Sequence, residues 1–371
     1  MSRPVTIIGG GLSGLTLGIG LRQRDVPVTI HESGDYPRHR VCGEFISGRG
    51  QLVLDRLGLL ADFKSAGAIY ARTAMFISGA AKSPSRELAT PALCLSRYKM
   101  DALLAAKFQE LGGHLRVRSR WNRDTDTLKR EHQTFGGDAN TLKRKHQTPG
   151  DEGVVSATGR RLQPAENEIR WFGVKVHVTG ASPVNLEADL EMHVSPDGYV
   201  GVNRINDGQI NVCGLFRARP EKQRAESKVD WLLGQHDSPL RERLNNAQFD
   251  TQSFCSVAGI QLKPRRASTH DECSVGDALT MTPPVTGNGM SMAFESAEMA
   301  LGPVAAYSRG EISWIEAKRQ IAAHCDAAFS RRLAWARLLQ WMMVAPIVRH
   351  GLGTFFLRSN WVWEFMFART R

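Results

Sequence analysis

The chain has 371 residues, 42% hydrophobic and 23% charged, with a formal net charge of +11. That length buries a sizeable core in two joined lobes, and no apolar stretch reaches the roughly 18–20 residues that span a bilayer; the longest candidate, 338–348, is broken by Gln340 and Pro346. The positive charge favours an anionic partner, but it is spread along the chain with no aromatic-interleaved RNA-binding motif, which argues against nucleic acid and leaves a phosphorylated cofactor or an anionic membrane surface.

The first apolar run, Val5 to Ile8, reads as a buried parallel strand, and it begins too close to Met1 for a secretory leader to be expected. It meets Gly9-Gly10-Gly11-Leu12-Ser13-Gly14, a G-x-G-x-x-G turn, and Leu12 to Arg24 then has helical spacing. Val26 to Ile30 is a second β-branched run that ends on His31-Glu32. Each part has a physical task. Gly9 permits the tight turn, Gly11 lets backbone approach a pyrophosphate, and Gly14 lets helix pack on strand. The helix N-terminus offers free N–H groups to that pyrophosphate. Glu32 stands where a carboxylate accepts ribose hydroxyls. The stretch predicts a dinucleotide site and leaves NAD(P) and FAD both open.

A turn-rich loop, 34–40, leads to Val41-Cys42-Gly43-Glu44-Phe45-Ile46-Ser47. The spacing predicts a helix over 48–60, a strand over 71–77, another at 93–96, a helix over 99–111 ending at Gly112-Gly113, and a strand over 114–118. Thr127 to Thr134 then recurs as Thr141 to Thr148. Two short polar copies cannot build a solenoid core, so this is read as a tandem duplication in a solvated surface excursion over 122–152.

Val154 to Ala157 is a short strand before Thr158-Gly159-Arg160. Residues 169–216 read as antiparallel β, with turns at Asp197-Gly198 and Asp207-Gly208. Helices are expected near 226–236, 239–246 and 290–306, and a helical C-terminus follows. Late in the chain, Val275-Gly276-Asp277 precedes Pro283-Pro284-Val285-Thr286-Gly287-Asn288-Gly289-Met290. Asp277 is placed to accept from polyol hydroxyls, and Pro283 stiffens the loop. Gly287 and Gly289 let amides approach a planar ring, with a helix N-terminus starting near Asn288 behind them.

With this second set in place, the chain resembles the FAD-dependent oxidoreductases of the p-hydroxybenzoate-hydroxylase type, and within them the geranylgeranyl-reductase-like branch. Four pieces carry the resemblance: Gly9, Gly11 and Gly14 with Glu32; Arg40 to Phe45; Ser96-Arg97; and Gly276-Asp277 with Pro283 and Gly287-Asn288-Gly289. It implies an α/β fold, a Rossmann-like FAD-binding domain interrupted by an antiparallel β-sheet substrate domain, with a helical C-terminus. The corresponding segments are 1–168, 169–252, 253–308 and 309–371. It places FAD across residues 9–14 with Glu32 on the ribose, and Arg40 and Arg97 near the nucleotide. It places Asp277 at the pyrophosphate or ribityl chain and 287–290 at the flavin ring, with NAD(P)H as the electron donor.

The expected activity is oxidation–reduction of a lipophilic small molecule (isoprenoid, quinone or polyketide-like), led by reduction of a C=C bond. Monooxygenation with NAD(P)H and O₂ is the alternative, and a flavin-binding or peripheral membrane protein without turnover the third. The Asp-Gly pair usual in hydroxylases is replaced by Ala157-Thr158-Gly159-Arg160, and the tryptophan motif of halogenases is missing. Cys42 is a candidate proton donor to substrate carbon and Glu44 its relay; the bland alternatives are an apolar filler and a helix cap. His177, His193 and Tyr199 are candidates for the substrate side of the sheet. No metal site is expected. The dispersed cysteines Cys42, Cys94, Cys213, Cys255, Cys273 and Cys325 form no C-x-x-C and point to a reducing cytoplasm. Residues 331–371 hold four tryptophans and seven arginines against one acid, Glu364, which fits either peripheral contact with the inner face of a membrane or helices packed over the FAD domain.

Overall fold

The computed structural model describes residues 2–79, 81–121, 152–160, 169–179, 184–219, 227–234, 238–344, 359–361 and 363–365. The tandem duplication at 127–148 lies outside the described residues. Four parallel strands form the first sheet, in the order β7 (His114–Arg116), β2 (Val28–His31), β1 (Val5–Ile8) and β8 (Val154–Ser156). Their β-branched residues are buried on both faces, as a parallel sheet covered by helices requires. One cover is α1 (Leu12–Arg22), every residue of which from Leu12 to Leu21 is buried. It packs against α4 (Arg97–Glu110) and the long α7 (Gly289–Arg309).

Nine strands form the second sheet. Its order is β13 (Phe249–Ala258), β9 (Arg170–Val178), β12 (Ile210–Ala218), β11 (Gly198–Arg204), β10 (Leu190–Ser195), β4 (Ile69–Ser78), β6 (Arg86–Cys94) and β3 (Phe45–Ile46), with β5 (Ala81–Lys82) beside β4. All pairs are antiparallel except β10 with β4. Strands from residues 45–94 therefore join the sheet expected over 169–252, and β13 runs across residue 252. Such long-range pairing leaves no local mark in sequence. The helix expected over 48–60 is two, α2 (Gly48–Arg56) and α3 (Leu60–Ser65), because Gly58 turns the chain at φ +71.

On β9 the alternation is strict. Phe172, Val174, Val176 and Val178 pack with Trp231 and Leu232 of α5 (Lys228–Leu233) and with Leu240 and Leu244 of α6 (Pro239–Leu244). Lys175 and His177 point to the opposite face, toward His39 and Glu44. The last long helix, α8 (Trp314–Val344), docks on α7 through its buried face, and Arg332 pairs in bidentate fashion with Glu295 at 2.8 and 3.0 Å. No helix among the described residues is long and apolar enough to cross a membrane.

Candidate active site

The two glycine loops meet back to back. A Cβ on Gly9 (φ +106) would lie 2.3 Å from the Ala157 carbonyl oxygen, and one on Gly14 would lie 2.0 Å from the Gly9 carbonyl oxygen. Both must be glycine for the turn to close. Gly11 differs: it precedes α1 with ordinary backbone angles, and nothing lies within 4 Å of where its Cβ would be. Its absent side chain keeps open space above the first turn of α1, where no side chain caps the helix. Leu12 is buried in the core beneath, and the Ser13 hydroxyl lies against Gly276.

Glu32 closes the turn from the end of β2. Its Oε2 accepts the Gly10 N–H at 2.9 Å, and its Oε1 accepts the Gly34 N–H at 2.8 Å. Arg38 lies 2.7 Å away and Arg40 3.6 Å. Burial pushes the carboxyl up, but the Gly34 N–H and the two guanidiniums outweigh it and hold Glu32 below the usual carboxylate range. Tyr36 donates its hydroxyl to the Gly10 carbonyl.

The second loop enters beside β8, where Ser156 donates to the Cys273 carbonyl (2.7 Å) and accepts from the Val275 N–H (2.9 Å). Gly276 turns at φ +64, and its N–H donates to Ser296 Oγ at 2.9 Å. Arg160 reaches from the Ala-Thr-Gly turn to Asp277 at 3.6 Å and to the Val41 carbonyl at 2.5 Å. Pro283 leads into a short 3-10 turn, and Gly287 follows at φ +65, facing the ring of Phe45. Ser47 donates to Asn288 Oδ1 at 3.0 Å. Gly289, which opens α7, again has nothing within 4 Å of a Cβ, while Met290 is buried below it. Open backbone at Gly11 and at Gly289, each at the start of a long helix, is what a pyrophosphate and a flavin edge require. The residues present fit FAD.

Between these loops and the nine-stranded sheet runs the segment 39–47. Arg97 is buried and forks onto Asp101 with two bonds of 2.8 Å, and Arg40 reaches the same carboxylate at 3.1 Å. Both arginines are thus engaged with Asp101. Cys42 Sγ accepts the Glu44 N–H at 3.4 Å, and its carbonyl accepts from Asn211. Glu44 is fully buried and holds a left-handed backbone, φ +57, which costs strain in a residue with a Cβ. It is not the cap of the helix that follows, since Ser47 occupies that position before α2. Instead its Oε1 accepts the N–H of Arg97, the first residue of α4 (2.8 Å), and Lys175 Nζ (3.0 Å), while its Oε2 meets His177 Nε2 at 2.6 Å.

A model of the FAD binding domain family matches residues 2–313. The chain belongs to that family. It is a FAD-dependent oxidoreductase of the superfamily that includes the geranylgeranyl-reductase-like and p-hydroxybenzoate-hydroxylase-type enzymes, with FAD as its cofactor. Among curated proteins there is no sequence match. Solved structures with the same fold include the flavin-dependent brominase Bmp2, 16% identical over 100% of this chain and 93% of that one, with a TM-score of 0.73. PqsL of P. aeruginosa in complex with 2-aminobenzoylacetate is 16% identical over 95% and 99%, at 0.68. The p-nitrophenol 4-monooxygenase PnpA of Pseudomonas putida is 14% identical over 99% and 97%, at 0.69.

Within this FAD-binding fold, the sheet face toward the cofactor loops divides into two parts. At one end Tyr199, Leu215 and Ile260 form an apolar cluster with Met281 and Val285 of the cofactor loop, with Trp171, Met192 and Leu339 packed at its margin. Tyr199 is 95% buried by its 5% exposure, yet its hydroxyl has no partner. At the other end lie Lys175, His177 and Asn211. His193 is on neither: its Nε2 sits 2.9 Å from Glu191 and 3.1 Å from Arg243, on the α6 side. Lys175 and Asn211 were not singled out in the sequence, and Arg160 and Phe45 stood in quoted stretches without a role of their own. The alternation Val174-Lys175-Val176-His177-Val178 was the available signal for Lys175.

Proposed function

We propose that the protein is a FAD-dependent monooxygenase acting on a lipophilic small molecule, with NAD(P)H as reductant. The observation that carries this reading is the apolar cluster formed by the sheet and the cofactor loop at Met281 and Val285, with one unpartnered hydroxyl, Tyr199, buried in it. An apolar surface with one free hydroxyl favours a mostly apolar molecule oriented by one polar contact. Fold neighbours described as a brominase and a p-nitrophenol monooxygenase favour oxygen chemistry over the C=C reduction expected from the sequence motifs.

When bound, FAD supplies hydride acceptance and oxygen activation. The chain's own residues hold the cofactor through the Gly9–Gly14 turn, Glu32, Asp277 and the start of α7. Tyr199 donates to a substrate oxygen, and the surrounding Leu215, Ile260, Met281 and Val285 exclude water. Peripheral contact with an anionic membrane would suit such a substrate: Leu338 and Trp341 are exposed on α8, and Trp361 is exposed further along the chain. Turnover with isotopically labelled oxygen, over a panel of hydrophobic phenols and quinones, tests the assignment. Label in the product supports oxygenation; product formed without oxygen from a reduced enzyme overturns it in favour of C=C reduction.

A further inference from the structure

A cavity of about 290 Å³ lies between the segment 267–279 and the first three turns of α8. Ala267, Cys273 and Leu279 line it from the segment, and Ile321 and Ala322 line it from the helix. No residue of the Tyr199 cluster, of the Gly9–Gly14 turn or of the start of α7 lines it. Ile321 and Leu339, which packs at the margin of the Tyr199 cluster, stand 18 residues apart on α8, a separation of about 27 Å. Ser268, Glu272 and Arg319 are exposed at its mouth, with His270 partly exposed beside them, so the cavity opens to solvent.

Close packing leaves few voids larger than a water molecule, so a space of this size needs a reason. It is about twice the roughly 150 Å³ of an apolar cavity that takes benzene, and so suits a compound of two rings. Two features of the wall say which polar group such a compound carries. Ser274 lines the cavity and is 4% exposed, and its Oγ has no partner. A buried hydroxyl left unbonded is costly, and an oxygen on the occupant would satisfy it. The second feature is a cation. Arg319 is neutralised by Glu316 at 2.7 and 2.8 Å. Among the described residues Lys318 Nζ donates to the Asp271 carbonyl at 2.9 Å and to no carboxylate. Burial pushes the Cys273 thiol up to about 12 against the pull of Lys318, so that wall is neutral and apolar.

The cavity also brackets the second cofactor loop. Cys273 and Ser274 lead directly into Gly276-Asp277, and Leu279 leaves it, with its N–H donating to the Gly276 carbonyl at 3.0 Å. An occupant therefore touches both ends of the turn that carries Asp277. It binds best when that turn has the arrangement that fits FAD, and two ligands that favour one arrangement tighten each other.

We infer that this cavity is a second binding site, for an apolar carboxylate of two-ring size held by the Ser274 hydroxyl and Lys318, and that its occupation tightens FAD. The inference goes beyond the oxygenase reading and rests only on FAD binding.

The test uses the FAD-loaded full chain and 2-naphthoate as the probe, with 2-methylnaphthalene as its uncharged counterpart. Calorimetric titration is expected to show saturable binding of 2-naphthoate, with 2-methylnaphthalene at least about tenfold weaker. Ser274→Ala and Lys318→Met each remove one hydrogen bond to a charged group, so each should weaken the probe by about tenfold or more. Ala322→Leu fills the void from α8. It should abolish probe binding while the holoprotein unfolds at the wild-type temperature or above, which separates a filled cavity from a damaged fold. FAD released on dilution of the holoprotein, read by its fluorescence, gives the coupling: saturating 2-naphthoate should tighten FAD by about fivefold or more in the wild type, and not in Ala322→Leu. The inference is overturned by the absence of saturable binding, by equal binding of the two probes, by wild-type affinity in Lys318→Met or Ala322→Leu, or by FAD release that the probe leaves unchanged.

Discussion

Replacing Gly11 by alanine separates two roles that glycine plays in the first turn. The added Cβ at Gly14 would sit 2.0 Å from a backbone oxygen and at Gly9 2.3 Å from another, so either substitution must move main chain. Overpacking of that kind costs about 1–3 kcal/mol. At Gly11 the new methyl meets nothing within 4 Å, and φ −86 suits alanine. Lost backbone freedom in the unfolded chain and a poorer helix cap nearly cancel, so Gly11→Ala is expected to change stability by less than about 1 kcal/mol. The methyl does fill the space over the first turn of α1. A phosphate pushed back by one methyl loses one charge-assisted hydrogen bond, worth about 1.5–3 kcal/mol, or roughly 10–100-fold in FAD affinity. Thermal unfolding of the FAD-free protein and quenching of FAD fluorescence read the two quantities separately. Gly11→Ala should unfold like wild type and bind FAD weakly, whereas Gly14→Ala should be poor in both. Wild-type FAD affinity in Gly11→Ala would refute the reasoning.

Tyr199→Phe removes a buried hydroxyl that has no partner, so the variant should unfold at a slightly higher temperature, gaining up to about 1 kcal/mol, while its KM rises by about tenfold for loss of one substrate hydrogen bond; a destabilised variant with unchanged KM contradicts the placement. Glu191 is 2% exposed and bonded by Arg243 at 2.8 and 3.1 Å. Burial raises its carboxyl, but His193, Arg243 and the Glu187 N–H outweigh burial and bring it from 4.5 down to about 2. A depressed carboxylate stabilises the fold above its unfolded value and loses that contribution as pH falls from about 4.5 through about 2, here at most roughly 3 kcal/mol. Glu191→Gln should therefore lower stability at neutral pH and flatten the acid limb of the unfolding curve; an unchanged limb counts against it.

What could be read from the sequence follows from distance along the chain. The strand, glycine turn and helix at 5–22 are local, and each glycine's role is fixed by its immediate neighbours. Helix α7 was visible from its apolar spacing and from Gly287 to Gly289 before it. The meeting of the two loops rests on Ser13 against Gly276, which no local pattern displays. The buried cluster around Glu44 was harder still, because Glu44 finds its partners in Lys175 and His177, more than 130 residues later. Only the alternation on β9 hinted that a lysine and a histidine share a face with nothing apolar between them. Glu44 as a bonded partner of a distant helix, in place of a cap on the next one, depends on its left-handed backbone, and sequence does not reveal that.

The most direct test is the absorption spectrum of the purified protein, titrated with NADH and with NADPH, with and without air. The account predicts bound-flavin peaks that bleach under anaerobic conditions with one of the two nucleotides, and return when air is admitted. A colourless protein that takes up no FAD when the cofactor is supplied would contradict it.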